Sequence, residues 1–275
     1  MEPKPSIIIK PRKGWQLINF KELIEYKDLF YFLVRRDIKV RYKQTVLGGL
    51  WAIIQPFFLM VIFSLFFGAL AKVPSEGIPY PIFSYSAMIA WIYFSNTVSG
   101  ASNSLVSNSS LVSKVYFPRL IVPLSPVVAF LLDFAISFII LFGMMLYFQV
   151  YPGVTVLFLP LLVIIMMLLA SGVGTFLASL NAKYRDIQYT ISFLLQFWMF
   201  ASPVVYPVSM VPERFQIIYA INPMTGIIEG FRSVLLQTTA FPTRLILISG
   251  LVSVCIFIGG AMYFRRTERY FADVI

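Results

Sequence analysis

Six long apolar segments, near residues 47–70, 82–100, 121–150, 154–180, 189–205 and 245–264, leave this chain few ways to fold. Most approach the ~20 residues that carry a helix through ~30 Å of hydrocarbon. Lipid offers no partner for backbone N–H and C=O groups, and no segment alternates apolar with polar residues as a barrel strand does. Each is therefore expected to be a helix. No hydrophilic stretch is long enough for a large soluble domain. The expected fold is an all-α integral membrane protein with six transmembrane helices. It divides into a cytosolic N-terminal arm, 1–46, and a membrane domain, 47–275.

The distribution of charge sets the orientation. Of 22 Lys and Arg residues, 11 precede Gly48. If the N-terminus is cytosolic, the cytosolic loops add Lys114, Arg119, Lys183 and Arg185, and the C-terminal tail adds Arg265, Arg266 and Arg269. Only Lys72, Arg214, Arg232 and Arg244 fall on the other side. That asymmetry predicts cytosolic termini and an even number of crossings. The net charge of +10 thus reflects topology and attraction to anionic lipid, with no nucleic acid implied. Residues 1–14 lack the layout of a signal peptide, so no cleavage is expected.

Between the crossings, three stretches are unusual. In the arm, Leu23, Ile24, Tyr31 and Val34 share one helical face while Glu25 and Asp28 share another. This predicts an amphipathic helix at the membrane surface over 20–34, acting as a lipid anchor or also touching a cytosolic partner. The cytosolic loop 103–120 has a short amphipathic centre bounded by Pro118, read as one docking turn of helix or a solvated turn. Residues 202–244 hold five prolines, which forbid one continuous helix, yet are too apolar for an ordinary loop. Helices over 212–220 and 224–238, turned at Asn222-Pro223, predict a re-entrant hairpin (206–240) with Glu229 and Arg232 paired at i, i+3. Broken backbone at that depth must be buried in protein or line a wet cavity, which places the hairpin at an outer mouth.

Much chemistry is excluded. There is no histidine, and the one cysteine, Cys255, sits in the last apolar run. No metal cluster, no paired acidic motif and no Walker A loop appears, so the chain is not expected to act as an enzyme or to hold ATP and Mg²⁺ itself. Asp133, the one acid inside an apolar run, lacks a second ionisable residue for a proton relay and is expected to make a structural hydrogen bond. Aromatic residues are 17% of the chain. Tyr85, Trp91, Tyr93 and Phe94 of the second segment, with Phe193, Phe197, Trp198 and Phe200 of the fifth, are candidates to line a conduit for a sliding carbohydrate polymer.

Several motifs carry a resemblance. Residues 36–45, Arg-Asp-Ile-Lys-Val-Arg-Tyr-Lys-Gln-Thr, precede Leu47-Gly48-Gly49-Leu50-Trp51 and Gln55-Pro56. Then come Lys114-Val115-Tyr116-Phe117-Pro118-Arg119, Tyr184-Arg185-Asp186, the stretch 202–207 and Asn222-Pro223-Met224. In this order the chain resembles permeases of ABC type 2 polysaccharide exporters, most like those for O-antigen, with capsule and teichoic-acid permeases as relatives. The resemblance implies a homodimer in the bacterial inner membrane, joined to two copies of a cytosolic ABC ATPase. It further implies an undecaprenyl-linked glycan as cargo. The 20–34 helix resembles the family's interface helix, and 113–119 its coupling helix, with Arg185 and Asp186 as a second cytosolic contact. ATPase closure would pass through 113–119 into the first, second and fifth helices. Asn222, Pro223, Glu229 and Arg232 fall in the hairpin that resembles the outer gate. Arg35, Arg36, Lys39 and Arg41 sit where a lipid pyrophosphate or an anionic headgroup would be met.

Overall fold

A computed structural model describes residues 20–43, 48–184, 186–238 and 241–271, and all regular structure among them is helical. The arm holds α1 (Phe20–Glu25) and α2 (Lys27–Lys43), so helix extends nine residues past the 20–34 stretch expected to be amphipathic. Lys and Arg are good helix formers, and Asp28 in the first turn with Arg41 and Lys43 in the last suits the helix dipole. Leu33 and Val34 are its buried side chains, whereas Ile24, Tyr31 and Phe32 are exposed.

A 3₁₀ turn, α3 (Trp51–Phe63) and a π-helical turn form one stretch, Gly48–Leu70. Its first residue, Gly48, has φ of 46°, a conformation that a Cβ would strain. α4 (Tyr80–Ser107) runs through the middle of the protein and buries most of its residues. α5 (Ser109–Lys114) follows it. The expected third segment is two helices, α6 (Ile121–Ala129) and α7 (Leu131–Phe148), that meet at Phe130. Pro126 cannot donate to the carbonyl of Val122, and the Ser125 hydroxyl takes that place at 3.0 Å. α8 (Leu159–Lys183) and α9 (Ile187–Phe200) come next. α10 (Glu213–Ala220), α11 (Pro223–Leu236) and α12 (Thr243–Thr267) complete the chain.

Four stretches are long and apolar enough to cross a membrane: Gly48–Leu70, Ile121–Phe148, Val154–Lys183 and Thr243–Tyr270. Two of the six expected crossings lack that character. α9 has only 14 residues, and α4, at 28 residues, is too rich in Ser, Thr and Asn. α4 carries these polar groups because it faces protein. Ser84, Ser86, Ser102 and Ser104 each donate to the carbonyl three residues back, which satisfies the hydroxyl within the helix.

One packed body is built around α4, α8, α11 and α12. A second cluster joins Leu33, Leu105, Val112, Phe117, Ile121, Ala178 and Phe264, so the first half of α2 meets the ends of α4, α5, α6, α8 and α12. Lys114, Arg119, Lys183 and Arg265 also lie there, and it is called the basic end below. α8 and α12 approach through glycine. A Cβ on Gly172 would lie 2.6 Å from the Phe257 backbone, and one on Gly260 would lie 2.3 Å from the Gly172 carbonyl oxygen. Gly172→Ala should therefore cost about 3 kcal/mol and lower the melting temperature of the detergent-solubilised protein by roughly 5–10 °C. Gly259→Ala, whose Cβ would meet nothing within 4 Å, is the control and should leave melting unchanged or raise it slightly.

Candidate functional site

On α2, Arg35, Arg36, Lys39 and Arg41 separate into two groups. Arg35 and Lys39 are exposed, and with Arg36, Phe32, Val40 and Lys43 they border a shallow groove of about 410 Å³. Arg36 pairs with Asp37 at 2.8 Å, and the one Ser125 hydroxyl proton is shared between the other oxygen of Asp37, at 2.8 Å, and the Val122 carbonyl. Arg41 turns inward instead. Its guanidinium meets the Asp133 carboxylate at 2.5 Å and lies 3.6 Å from the centre of the Phe130 ring. The Tyr42 hydroxyl donates to the second oxygen of Asp133. The intramembrane acid is thus held by a cation and a phenol of α2, which clamp the surface helix to α7.

The loop after α4 departs from the expected docking turn. Its helix, α5, ends at Lys114, where 113–119 was expected to be helical. Val115 is extended, and Pro118 bars Phe117 from helical backbone angles. Phe117 is buried in the basic-end cluster, and Arg119 donates to the Glu268 carbonyl at 2.7 Å. Between these anchors and α5, Lys114, Val115 and Tyr116 stand exposed, with Tyr116 at 65%. Asp186 is exposed just before α9, and Arg185 lies outside the described residues.

At the opposite end, all 14 residues of α11 are buried, including the side where the sequence placed Glu229 and Arg232. Their pairing at 2.9 Å is only one part of a network. Arg232 also donates to the carbonyls of Val204 at 2.8 Å and Tyr206 at 3.2 Å, and it stacks 3.7 Å above the Phe83 ring. Glu229 accepts from the Val208 amide at 3.3 Å. Tyr80 donates to the carbonyl of Val205, between them, at 2.7 Å. Asn222 caps α11 by accepting from the Met224 amide at 3.1 Å. It also accepts from the Trp198 indole at 2.9 Å and donates to Ala201 and Ser202, while Pro223 occupies the first turn. The non-helical stretch 201–207, which ends in a 3₁₀ turn at Val208–Met210, is therefore pinned by Arg232 and Asn222 together. The sequence did not single out Tyr80, Phe83 or Trp198 for these roles, because each acts on backbone remote in the chain.

The aromatic candidates occupy two environments. Tyr85, Trp91, Tyr93 and Phe94 are in the core, where Tyr85 donates to Ser137 and Tyr93 to Val127. Phe94 meets Trp198 edge-on at 5.1 Å. Phe193, Phe197 and Phe200 stand exposed along α9. No group of acidic, His or Cys residues among the described residues could hold a metal.

Residues 28–236 match the profile of the ABC-2 type transporter family. The chain belongs to that family. The O-antigen export system permease protein RfbA of Myxococcus xanthus is 28% identical over 258 residues, 93% of this chain and 98% of that protein. The protein of the same name from Klebsiella pneumoniae is 25% identical over 90% of this chain and 95% of its own length. The polysialic acid transport protein KpsM of Escherichia coli is 22% identical over 86% and 92%.

In this ABC-2 family member, Glu229→Ala would strand Arg232 as an uncompensated buried cation. A loss of about 3–5 kcal/mol is expected, read as a fall in folded protein after detergent extraction. Adding Arg232→Met should recover only part of it, since the Val204 and Tyr206 carbonyls then lack their donor. Asp133→Asn keeps an acceptor for Tyr42 and should be milder than Asp133→Leu. Normal assembly of Asp133→Asn with abolished transport would show that the charge itself is needed.

Proposed function

We propose that this chain is the membrane-spanning subunit of an ATP-driven exporter that moves lipid-linked polysaccharide from the cytosolic side of a bacterial inner membrane. The observation that carries this reading is its end-to-end likeness to O-antigen export permeases. The likeness to a polysialic acid transport protein makes capsule export the second reading. The polymer would be built on an undecaprenyl-type lipid. α4 and α9, both shielded by other helices or by a partner protomer, complete six crossings in this reading, and the positive-inside asymmetry puts both termini in the cytosol. Two copies form the conduit, and 206–240 closes its outer mouth. The exposed phenylalanines of α9 suit the apolar faces of sugar rings. The groove beside Arg35, Arg36 and Lys39 offers cations to a pyrophosphate, whereas Arg41 serves as a clamp on Asp133.

A partner ATPase binds ATP and Mg²⁺ and pushes on the segment that displays Lys114, Val115 and Tyr116. Because Phe117 and Arg119 root that segment in the bundle, the push reaches the helix ends gathered there. In proteoliposomes containing the chain and its ATPase, full-length lipid-linked glycan should stimulate ATP hydrolysis. Stimulation by hydrophobic drugs or plain lipid instead would refute the cargo. Tyr116→Ala, which removes an exposed ring without touching the anchors, should weaken ATPase binding about tenfold in a pull-down titration. Unchanged binding would dismiss the docking assignment.

A further inference from the structure

A second cavity, of about 450 Å³, opens beside the Arg41–Asp133 pair between α3, α4 and α7. Its volume is in the range of small-ligand sites, ~300–1,000 Å³. One face of α4 contributes Ile89, Ile92, Tyr93, Asn96, Ser99 and Asn103, a helical stripe that turns from apolar to polar towards the basic end. Gln55 of α3 faces this polar half, and the exposed Trp51 ring borders it. Among the described residues, no hydrogen bond engages the side chains of Gln55, Asn96 or Ser99. Asn103 accepts from Asn181 at 3.0 Å. Gln55 is exposed and Asn96 and Ser99 are half-buried, so their amides and hydroxyl stand open to the cavity instead of being closed off in a packed interface. That sets them apart from Ser84, Ser86, Ser95, Ser102 and Ser104 of α4, which bond to their own helix backbone.

The lining discriminates between ligand classes. Arg41 and Asp133 neutralise each other, so no uncompensated cation awaits a phosphate. The free groups are donors and acceptors in equal measure, set beside an aromatic ring. That combination matches a neutral polyhydroxylated ring, whose hydroxyls both give and accept and whose C–H face stacks on indole. We propose that this cavity is a sugar-binding site within each protomer, distinct from the exposed aromatic face of α9, that holds a unit of the carbohydrate chain near the basic end. The choice of sugar as ligand rests in part on the polysaccharide-export reading.

The test uses the chain with its ATPase partner in lipid nanodiscs. Cys255→Ser with Ser99→Cys leaves one thiol, at the cavity, for a hydrophilic maleimide. The probes are short oligosaccharides released by mild acid from the producing strain's own glycan, with inorganic phosphate and phosphatidylglycerol as alternatives. Oligosaccharide should slow labelling. Asn96→Ala should raise the protecting concentration about tenfold, the loss of roughly one well-made hydrogen bond, and Gln55→Ala should act likewise. Protection by phosphate or phosphatidylglycerol but not by sugar, or by none of the three, would overturn the site. Glycan stimulation of ATPase is measured in parallel on the unsubstituted complex. Protection without stimulation keeps the sugar site and sinks the export reading; stimulation without protection does the reverse.

Discussion

Where the backbone of this chain leaves the helix inside the packed body, it frees carbonyls and amides that apolar surroundings cannot satisfy, and much of the structure answers them. The demand is greatest over 201–207. A single side chain, Arg232, reaches two of the freed carbonyls and Tyr80 takes the one between. Asn222 takes another at the start of the break, and Glu229 receives an amide at its end. Because the guanidinium has five donors in a fixed fork, one residue can serve several backbone groups that a lysine would have to share. The cost is a cation with no exposure to water, offset by Glu229, the Phe83 face and the two carbonyls that accept from it. Burying α11 on every side follows from this: the helix has to lie where its arginine can reach the break.

A similar logic works at the other end with different parts. Asp133 would be a stranded anion in α7, and the residues that answer it, Arg41 and Tyr42, come from the last turn of a helix outside the membrane domain. The surface helix is consequently fixed to the bundle by charge as well as by Leu33 and Val34. Partial exposure of the pair moderates its energetic weight, yet its geometry sets where α2 ends and where the neighbouring cavity begins.

Local signals were legible in the sequence and remote ones were not. Apolar runs located the long helices, and Asn222-Pro223 marked the turn between α10 and α11. The i, i+3 spacing foretold the Glu229–Arg232 pair, since all of these depend on residues close in the chain. The break at Phe130 was hidden because every residue around it is apolar, and only Ser125 and Pro126 hint at it. The depth of α4 was hidden because its serines are compatible with either water or a helix interior. Asp133 stood out, but its partners lie 92 and 91 positions away, a separation that no periodicity encodes. Pro118 looks like the end of a helical turn over 113–119, yet the helix stops at Lys114 because the chain is already extended at Val115.

The same contacts bear on which helices are free to move. The segment proposed to dock is tied through Phe117 and Arg119 to the middle of α2 and to the ends of α4, α8 and α12, so a push on it would load these parts together. Among them α8 and α12 are locked by glycine-to-backbone contact and have little room to slide past one another. α9 differs: it packs on α4 and α8 over a short length and exposes Phe193, Phe197 and Phe200. Its far end, however, is tethered to α11 through Trp198 and Asn222. Under the docking proposed above, a displacement starting at the basic end would meet least resistance along α9, whose contacts with α4 and α8 are sparse, and most at its far end, where Trp198 and Asn222 hold it to the break at 201–207.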